Sequence, residues 1–314
     1  MTTSDDGLQP RLPFLDDADV RRLLDPAMAI AAVRESLIAH HAGVLTAPPR
    51  LRASLGNGDL MFTVGRLAGT GYGFRVYGTM PSDEDHQITV IYDDATGRID
   101  GVITGDFLGA ARTGAIGAVA VDVMADPGAG TLGLIGTGRQ AWTQLWAIRA
   151  VRPLREVRVY GRDTARREAF ARRARSELGL PATTVPNPET ALAGADIVVL
   201  ATSSTTPVIE ADWVAAGAHV TTLGPKQTRA NECPADLAER AGLILTDSPA
   251  QLNAYPGPFF LTGPARDRMG ALGAAAAGAA PARQNADEIT LFCSVGLAGT
   301  EIAVAVALLR SAGR

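Results

Sequence analysis

The segment TLGLIGTGRQA, residues 131–141, constrains the fold of this chain more than any other. A short apolar strand runs into the turn GTGRQA, a G-x-G-x-x-A pattern, and the turn opens a helix. The first glycine permits a tight turn, the second lets a pyrophosphate approach the backbone, and the small alanine lets the helix pack on the strand. Free N–H groups at the helix N-terminus face the phosphates. The segment therefore predicts a dinucleotide-binding unit that begins at Thr131.

The context of this glycine turn makes the short motif more specific. Further buried strands are predicted at VRVYG, ADIVVLATS, AHVTTLG and LILTD, with helical stretches between them. Strands that alternate with helices indicate a parallel, doubly wound sheet. The alternative, a glycine turn that binds nothing, is disfavoured because strand, turn, helix and second strand follow in the expected order.

The N-terminal part has a different pattern of predicted helices and strands. Asp25 is a predicted N-cap, Pro26 takes the first helical position and Gly43 closes the helix. The segments RLRASL, DLMFTVGRL, YGFRVYGTM, QITVIYD and RIDGVIT then alternate with glycine-rich turns, which is typical of an antiparallel meander of about five strands. A helix of small residues follows over 106–124, and the tail from Asp287 is predicted as a loop and a closing apolar helix.

These patterns predict an α/β fold with two domains. Residues 121–297 form a Rossmann domain with a doubly wound parallel sheet. Residues 1–120 and 298–314 form an antiparallel α+β domain for substrate binding and dimerisation.

Composition excludes several classes of function. The net charge of −4 and the lack of a long basic tract argue against a nucleic-acid partner. No uncharged apolar run reaches the ~18 residues of a membrane helix, and the polar start does not resemble a signal peptide, so we expect a cytoplasmic protein. The two cysteines, Cys233 and Cys293, and the four histidines stand in no metal-binding spacing, so we expect no metal.

The end of the second Rossmann strand bears on the choice of cofactor. It reads Tyr160-Gly161-Arg162-Asp163-Thr164. An arginine here accommodates the 2′-phosphate of NADP, whereas an acid accepts from the ribose hydroxyls of NAD. Arg162 favours NADPH, while Asp163 keeps NADH possible; a solvated basic helix start is the plainer alternative.

Six motifs together resemble the ornithine cyclodeaminase/mu-crystallin family nearly from end to end. They are PPRL at 48–51, DLMF at 59–62, LGAARTGA at 108–115, TLGLIGTGRQA, ADIVVLAT and DEITLFCSVGLA at 287–298. The resemblance implies a homodimer with its active site in the cleft between the domains. It also implies hydride transfer at a carbon that bears an amine or imine, as in the family's cyclodeaminase, ketimine reductases and amino-acid dehydrogenases.

The resemblance also implies roles for individual residues. Arg50 and Arg112 take the positions that grip the substrate carboxylate, Met61 lies in the substrate pocket, and Val295 and Gly296 close over the substrate. The plainer alternatives are a surface salt bridge for Arg50, and helix capping or domain docking for Arg112. With the glycine motif, the resemblance gives this cofactor-binding set: Thr113, Gly136, Thr137, Gly138, Arg139, Gln140, Arg162, Thr164, Ala201, Thr202, Ser203, Leu223 and Gly224.

Two departures from the family pattern change the expected chemistry. Arg75 replaces a lysine that contacts the carboxylate and helps proton transfer, and an arginine does not release a proton near neutral pH. Lys226 replaces the aspartate with which cyclodeaminases hold the substrate's side-chain amine. If Arg50, Arg75, Arg112 and Lys226 face one pocket, it suits an anion and repels a diamine. The alternative is that a shifted alignment leaves Lys226 in solvent.

The source of the proton stays open among several groups. Lys226 is one candidate, if burial lowers its pKa. The loop that holds Asp83, Glu84, Asp85 and His86 is another, although a solvated acidic turn is the simpler interpretation. Tyr77 shares a strand face with Arg75 and ranks above Tyr72 as a hydrogen-bond donor that contacts the substrate.

The sequence therefore predicts an NAD(P)H-dependent oxidoreductase that reduces a small anionic substrate, a carboxylated imine or a keto acid. Lys226, Arg75 and Arg112 are the predicted catalytic residues. Two alternatives remain: a cyclodeaminase-like ammonia lyase with a relocated acid, and a protein that binds NADPH without catalysis.

Overall fold

A computed structural model of the chain describes residues 12–80, 87–254 and 257–313. The candidate proton donors Asp83, Glu84, Asp85 and His86 lie outside the described residues. The N-terminal part builds a seven-stranded sheet in the order β1-β7-β6-β5-β4-β2, with β3 also paired to β4. Its strands are β1 (Phe14–Leu15), β2 (Leu45–Thr46), β3 (Leu51–Ser54), β4 (Asp59–Leu67), β5 (Gly71–Gly78), β6 (Gln87–Tyr92) and β7 (Ile99–Thr104).

The predicted five-stranded meander is confirmed. Strands β3 to β7 pair antiparallel with their neighbours along the chain. The structure adds the short β1, parallel to β7, and β2, antiparallel to β4. In this register Thr63, Arg75 and Thr89 lie side by side on neighbouring strands, and all three are buried.

Three helices belong to the first part of the chain: α1 (Asp17–Leu23), α2 (Pro26–His41) and α3 (Phe107–Met124). The predicted start of α2 is confirmed, because the Asp25 carboxylate accepts from the backbone N–H of Met28 at 2.9 Å. Helix α3 is long and apolar enough to cross a membrane by length and composition alone, but 83% of it is buried inside the fold. It is the central core helix.

The rest of the chain forms an eight-stranded, all-parallel sheet in the order β10-β9-β8-β11-β12-β17-β15-β16. Its strands are β8 (Thr131–Ile135), β9 (Glu156–Tyr160), β10 (Ala182–Thr184), β11 (Ile197–Leu200), β12 (His219–Thr222), β15 (Ala241–Thr246), β16 (Gly270–Ala271) and β17 (Ile289–Cys293). A separate two-stranded hairpin joins β13 (Lys226–Gln227) to β14 (Ala230–Asn231).

Eight further helices are described in this part of the fold, with a 3₁₀ turn at Ala211–Trp213. They are α4 (Arg139–Ile148), α5 (Thr164–Leu178), α6 (Pro188–Leu192), α7 (Leu237–Arg240), α8 (Pro249–Asn253), α9 (Gly263–Asp267), α10 (Leu272–Ala276) and α11 (Thr300–Ser311). The last of these, α11, packs against α2, α3 and strands of the meander, so the C-terminal helix returns to the N-terminal half.

The prediction for the tail was wrong in one respect. Residues 289–293 are not a loop but strand β17, which lies between β12 and β15 with all five residues buried. A central strand is covered on both faces, so its sequence ITLFC shows an apolar run without the alternation that marks a half-exposed strand.

The order of the parallel strands places the crevice of the sheet. Strand β8 lies between β9, which follows it in the chain, and β11, which belongs to the other half of the sheet. In such sheets ligands bind outside the carboxyl ends of the strands where the strand order reverses. The glycine turn follows β8 at this point.

Candidate active site

The glycine turn after β8 has the geometry that dinucleotide binding requires. Gly136 has φ +119°, and a β-carbon there would lie 2.8 Å from the carbonyl carbon of Ala201, so only glycine fits. Gly138 is the N-cap residue of α4, and a β-carbon on it would meet nothing within 4 Å. Its backbone therefore borders open space, which leaves room for a pyrophosphate at the helix N-terminus.

A cleft of about 840 Å³ lies against this turn. Most of the predicted cofactor residues line it: Gly136, Thr137, Gly138, Arg139, Gln140, Arg162, Ala201, Thr202, Ser203, Leu223 and Gly224. Two do not. Thr164 is exposed at the start of α5, and Thr113 borders a neighbouring cavity. Asp163, which the sequence analysis weighed as a ribose ligand, also lines the cleft, as do six residues outside the predicted set: Ile135, Tyr160, Gly161, Arg166, Ser204 and Val208.

At the end of β9, Asp163 and the arginines have different partners. The Asp163 carboxylate caps α5 by accepting from the backbone N–H of Arg166 at 3.0 Å. Arg162 and Arg166 are exposed and line the cleft, and Arg166 Nε lies 3.8 Å from Asp163. The acid is thus engaged by its own helix, while two guanidinium groups stand at the edge of the cleft.

Glu232 holds the segments that line the cleft in place from the interior of the protein. It is fully buried; one carboxylate oxygen accepts from both the N–H and hydroxyl of Thr202 at 2.7 Å. The other accepts from the N–H of Leu223 at 2.9 Å and from that of Gly224 at 2.5 Å. Glu232 therefore ties together the chain segments that follow β11 and β12. Its sequence signal was a lone acid between Asn231 and a cysteine.

A second cavity of about 270 Å³, here called the cation pocket, adjoins the cleft. Gln140 and Leu223 line both spaces. The cation pocket collects the four predicted cations, and none of its described lining residues is acidic. Its lining residues are Arg50, Arg75, Tyr77, Gln87, Gly109, Ala110, Arg112, Thr113, Gln140, Leu223, Lys226, Ser294, Val295 and Gly296.

Met61 is the predicted substrate residue that does not line the cation pocket as the structure describes it. It lies on β4, opposite Tyr77 of β5 and Arg52 of β3 in the strand register. Tyr77, which the sequence placed beside Arg75, does line the pocket.

Arg75 and Arg112 share one buried acid, Glu301 of α11. Glu301 accepts from the Thr63 hydroxyl, and its other oxygen lies 3.5 Å from Arg112 Nε. Burial alone would raise the pKa of Glu301, but the charges of Arg112 and Arg75, together with the hydrogen bond from Thr63, outweigh it and hold the pKa below the usual value. Burial, followed by the charge of Arg112, lowers the pKa of Arg75 to about 10, so it stays a cation near neutral pH. The two arginines and the one glutamate therefore leave a net positive charge, which can attract a substrate anion.

Sequence reasoning missed Glu301, although a signal existed. It is the only charged residue between Thr300 and Leu309 in an otherwise apolar helix. A carboxylate in such a position is buried at high cost unless a cation faces it. The ion pair between Glu301 and Arg112 joins α3 to α11. Arg112 therefore has the docking role that was the alternative, and it also lines the cation pocket.

Arg50 holds the loop after β17 rather than a surface acid. Its guanidinium donates to the Val295 carbonyl, to the Gly296 carbonyl at 3.3 Å, and to the Tyr77 hydroxyl at 3.2 Å. Asp247 fixes this loop from the other side by accepting from the N–H groups of Val295 and Gly296, each at 2.7 Å. Val295 and Gly296 are therefore held rigidly at the pocket wall.

Lys226 is buried, so the alternative that it points to solvent is wrong. The residue is 2% exposed, and Nζ donates to the carbonyl of Gly224 at 2.7 Å. Burial lowers the pKa of Lys226, and the nearby charge of Glu232 opposes this only in part. The ammonium group lies in the pocket wall that adjoins the cofactor cleft.

Fold and site together define a dinucleotide-binding α/β protein with a pocket of four cationic side chains beside the cofactor cleft. The ornithine cyclodeaminase/mu-crystallin family profile matches residues 13–312. The chain belongs to this family.

Similar proteins include several enzymes. Delta(1)-pyrroline-2-carboxylate reductase of Bacillus cereus is 33% identical over 225 residues, which cover 69% of this chain and 68% of that protein. The structure of the Thermococcus litoralis reductase of the same name, in complex with NADH and L-proline, has a TM-score of 0.85 and 25% identity, covering 96% of this chain and 97% of that one. An archaeal alanine dehydrogenase dimer with bound NAD has a TM-score of 0.84 and 26% identity, with 96% of each chain covered.

Proposed function

We propose that this chain is an NAD(P)H-dependent oxidoreductase that reduces the C=N bond of a small carboxylated imine. The observation that carries the proposal is the cation pocket: four cations and no acid among its described lining residues, in direct continuity with the cofactor cleft through Gln140 and Leu223. Relatives named as Delta(1)-pyrroline-2-carboxylate reductases support the same chemistry.

The cofactor is held by the glycine turn, the N-terminus of α4 and the segments fixed by Glu232. The residues present fit a nicotinamide dinucleotide, because Gly138 leaves its phosphate side open and Gly136 takes a backbone conformation that only glycine adopts freely. When bound, the nicotinamide supplies a hydride to the carbon of the imine.

The substrate carboxylate binds to Arg75 and Arg112. Guanidinium groups form paired, charge-assisted hydrogen bonds with a carboxylate, which fixes the adjacent carbon. Both side chains are buried and backed by Glu301, so their geometry is set before the substrate enters. Arg50 closes the pocket by holding Val295 and Gly296, and Tyr77 completes the wall.

Lys226 supplies the proton that the imine nitrogen requires. A buried lysine releases its proton more readily than one in water, because burial disfavours the charged form. The hydrogen bond to the Gly224 carbonyl orients Nζ in the wall between the substrate and the cofactor cleft. Arg75 and Arg112 cannot take this role near neutral pH.

We propose NADPH as the preferred cofactor, with NADH as a weaker substitute. The Asp163 carboxylate is engaged as the N-cap of α5, whereas Arg162 and Arg166 are exposed at the cleft where a 2′-phosphate would lie. The two related structures carry NADH or NAD, so the proposed preference rests on the strand end of this chain alone.

The outer face of the meander supports a homodimer. Phe62, Val76 and Ile88 form one row across β4, β5 and β6, and Val64, Phe74 and Val90 form the next. Val64 is 43% exposed and Ile88 39% exposed, while α11 covers the opposite face. An apolar sheet face of this kind is stabilised by a second copy of the same chain. Light scattering should give twice the 32.6 kDa chain mass, and a monomer at micromolar concentration would contradict this.

We place the domain division at residues 1–120 plus 298–314 and residues 121–297, because α11 packs on the meander while β17 belongs to the parallel sheet. We place the enzyme in the cytoplasm, where its two cysteines, which are free and buried, stay reduced.

The carboxylate requirement tests the proposal. With NADPH, Delta(1)-pyrroline-2-carboxylate should be reduced, and the same ring without the carboxylate should react at least about 100-fold more slowly in kcat/KM, since orientation is lost. Equal rates for the two rings would contradict the assignment of the cation pocket. Pyruvate in the absence of ammonia tests whether a keto acid is accepted in place of the imine.

The cyclodeaminase alternative meets an electrostatic obstacle. An ornithine ammonium at ~4 Å from the Lys226 ammonium is disfavoured by about 4 kcal/mol at an effective dielectric of ~20. We therefore expect no proline and no ammonia from L-ornithine with either oxidised cofactor. Proline formed at an enzymatic rate without net cofactor use would require an acid elsewhere in the site.

A further inference from the structure

Arg75 reaches the cation pocket through a gap that exists because residue 109 is glycine. Gly109 lies in the first turn of α3, on the pocket wall. A β-carbon there would overlap Nη1 of Arg75 and lie 3.1 Å from both Arg75 Cζ and Gln87 Oε1. The guanidinium also lies over the Tyr77 ring, with Cζ 4.5 Å from the ring centroid. The group thus lies in a slot that is lined by a tyrosine ring and a helix backbone.

We infer that Gly109 is a specificity-determining residue of this site, because it alone admits arginine at position 75. The inference rests on the proposed role of Arg75 as a carboxylate ligand. A side chain at position 109 would take the space of the guanidinium and leave room only for a shorter cation. Gln87 completes the slot by accepting from Arg75 Nη1 at 3.2 Å.

The slot also sets how the substrate is held. Residues 109 and 112 are three apart on α3, so they lie on the same helix face, and a guanidinium over Gly109 lies beside Arg112. A planar guanidinium binds a carboxylate through two parallel hydrogen bonds, whereas a lysine ammonium acts as a single point of charge. Gly109 therefore favours bidentate binding of the carboxylate by a rigidly held guanidinium.

A double-mutant cycle tests this inference. The variants are Gly109→Ala, Arg75→Lys and the combination, assayed with NADPH and Delta(1)-pyrroline-2-carboxylate. Gly109→Ala should raise KM about ten-fold in the wild-type background, because the guanidinium is displaced, and change it less than about two-fold in the Arg75→Lys background. The affinity for NADPH should stay unchanged in all variants, since Gly109 does not line the cofactor cleft.

The same double-mutant cycle can be measured by thermal unfolding, which does not depend on catalytic turnover. Alanine is a better helix former than glycine. Gly109→Ala should therefore raise the melting temperature in the Arg75→Lys background, where no guanidinium fills the slot, and lower it in the wild-type background. Because the substitution favours the helix by itself, the variants should fold.

Gly130→Ala is the matched control. A β-carbon on Gly130 would lie 2.6 Å from Nη2 of Arg155, so it also displaces an arginine tip, but neither residue lines the cation pocket as described. Its effect on melting temperature should be equal in the wild-type and Arg75→Lys backgrounds, and KM should not change.

Two results would distinguish a failure of this inference from a failure of the proposed function. If Gly109→Ala costs the same factor in KM and the same shift in melting temperature in both backgrounds, the slot does not select Arg75 and the inference is overturned. If the coupling in melting temperature is present but no variant reduces the imine, the slot stands and the proposed function is what fails.

Discussion

The ammonium nitrogen of Lys226 lies 2.7 Å from the carbonyl oxygen of Gly224, in a position that solvent hardly reaches. This bond places the only lysine among the described residues of the cation pocket just beyond the end of β12, beside the residues that line the cofactor cleft. A carbonyl partner accepts a hydrogen bond without neutralising the charge. Lys226 is therefore held in place by a group that leaves it free to give up its proton.

Replacing Lys226 with methionine should lower kcat for imine reduction by about 100-fold or more, the usual contribution of a positioned general acid. The proton donor must be protonated to act, so the wild-type rate should fall as pH rises through the pKa of Lys226, which burial places below 10.5. The pH profile of Lys226→Met should lack this alkaline limb. A profile identical to that of the wild type would assign the proton to another group.

Arg112→Ala should reduce kcat/KM by about 100-fold or more while leaving the dissociation constant for NADPH unchanged. The reason is loss of the carboxylate anchor, together with loss of the ion pair between Arg112 and Glu301, which is fully buried. Arg112→Lys is the informative companion, since it keeps the charge but not the fork. Activity of Arg112→Ala within a few-fold of the wild type would make Arg112 a structural residue.

Arg162→Ala should reduce the preference for NADPH over NADH. A charge-assisted contact to a phosphate contributes about 1.5–3 kcal/mol, or roughly ten- to 150-fold in affinity. Binding titrations with both cofactors measure this ratio directly. Arg172→Ala is a suitable control, because Arg172 is an exposed arginine of α5 that does not line the cleft. Equal affinities of the wild type for the two cofactors would contradict the assignment.

The sequence predicted those parts of the fold in which local pattern and tertiary structure agree. The alternating strands β3 to β7 and the turn at Gly136 were found because their periodicity and glycine positions have a direct physical meaning. Strand β17 was missed because its place between β12 and β15 depends on pairing with segments that are distant in the chain, which a local pattern does not show. The short β13–β14 hairpin, which carries Lys226, gives no pattern of its own.

The same distinction holds for the site. Arg50, Arg75, Arg112 and Lys226 were predicted to face one pocket, and they line one cavity. Glu301, Glu232 and Asp247 were not identified, because each acts on other residues through contacts between segments apart in the chain. Gly109 could not be assigned from sequence, since its importance depends on where the Arg75 side chain ends.

The most direct test of the account measures the oxidation of NADPH with Delta(1)-pyrroline-2-carboxylate, alongside the proline that forms. We predict one proline for each NADPH consumed, with saturation in the imine and loss of both signals in Arg112→Ala. Cofactor that binds tightly but is not oxidised by this or any other carboxylated imine would contradict the central claim, and would leave a protein that binds NADPH without catalysis.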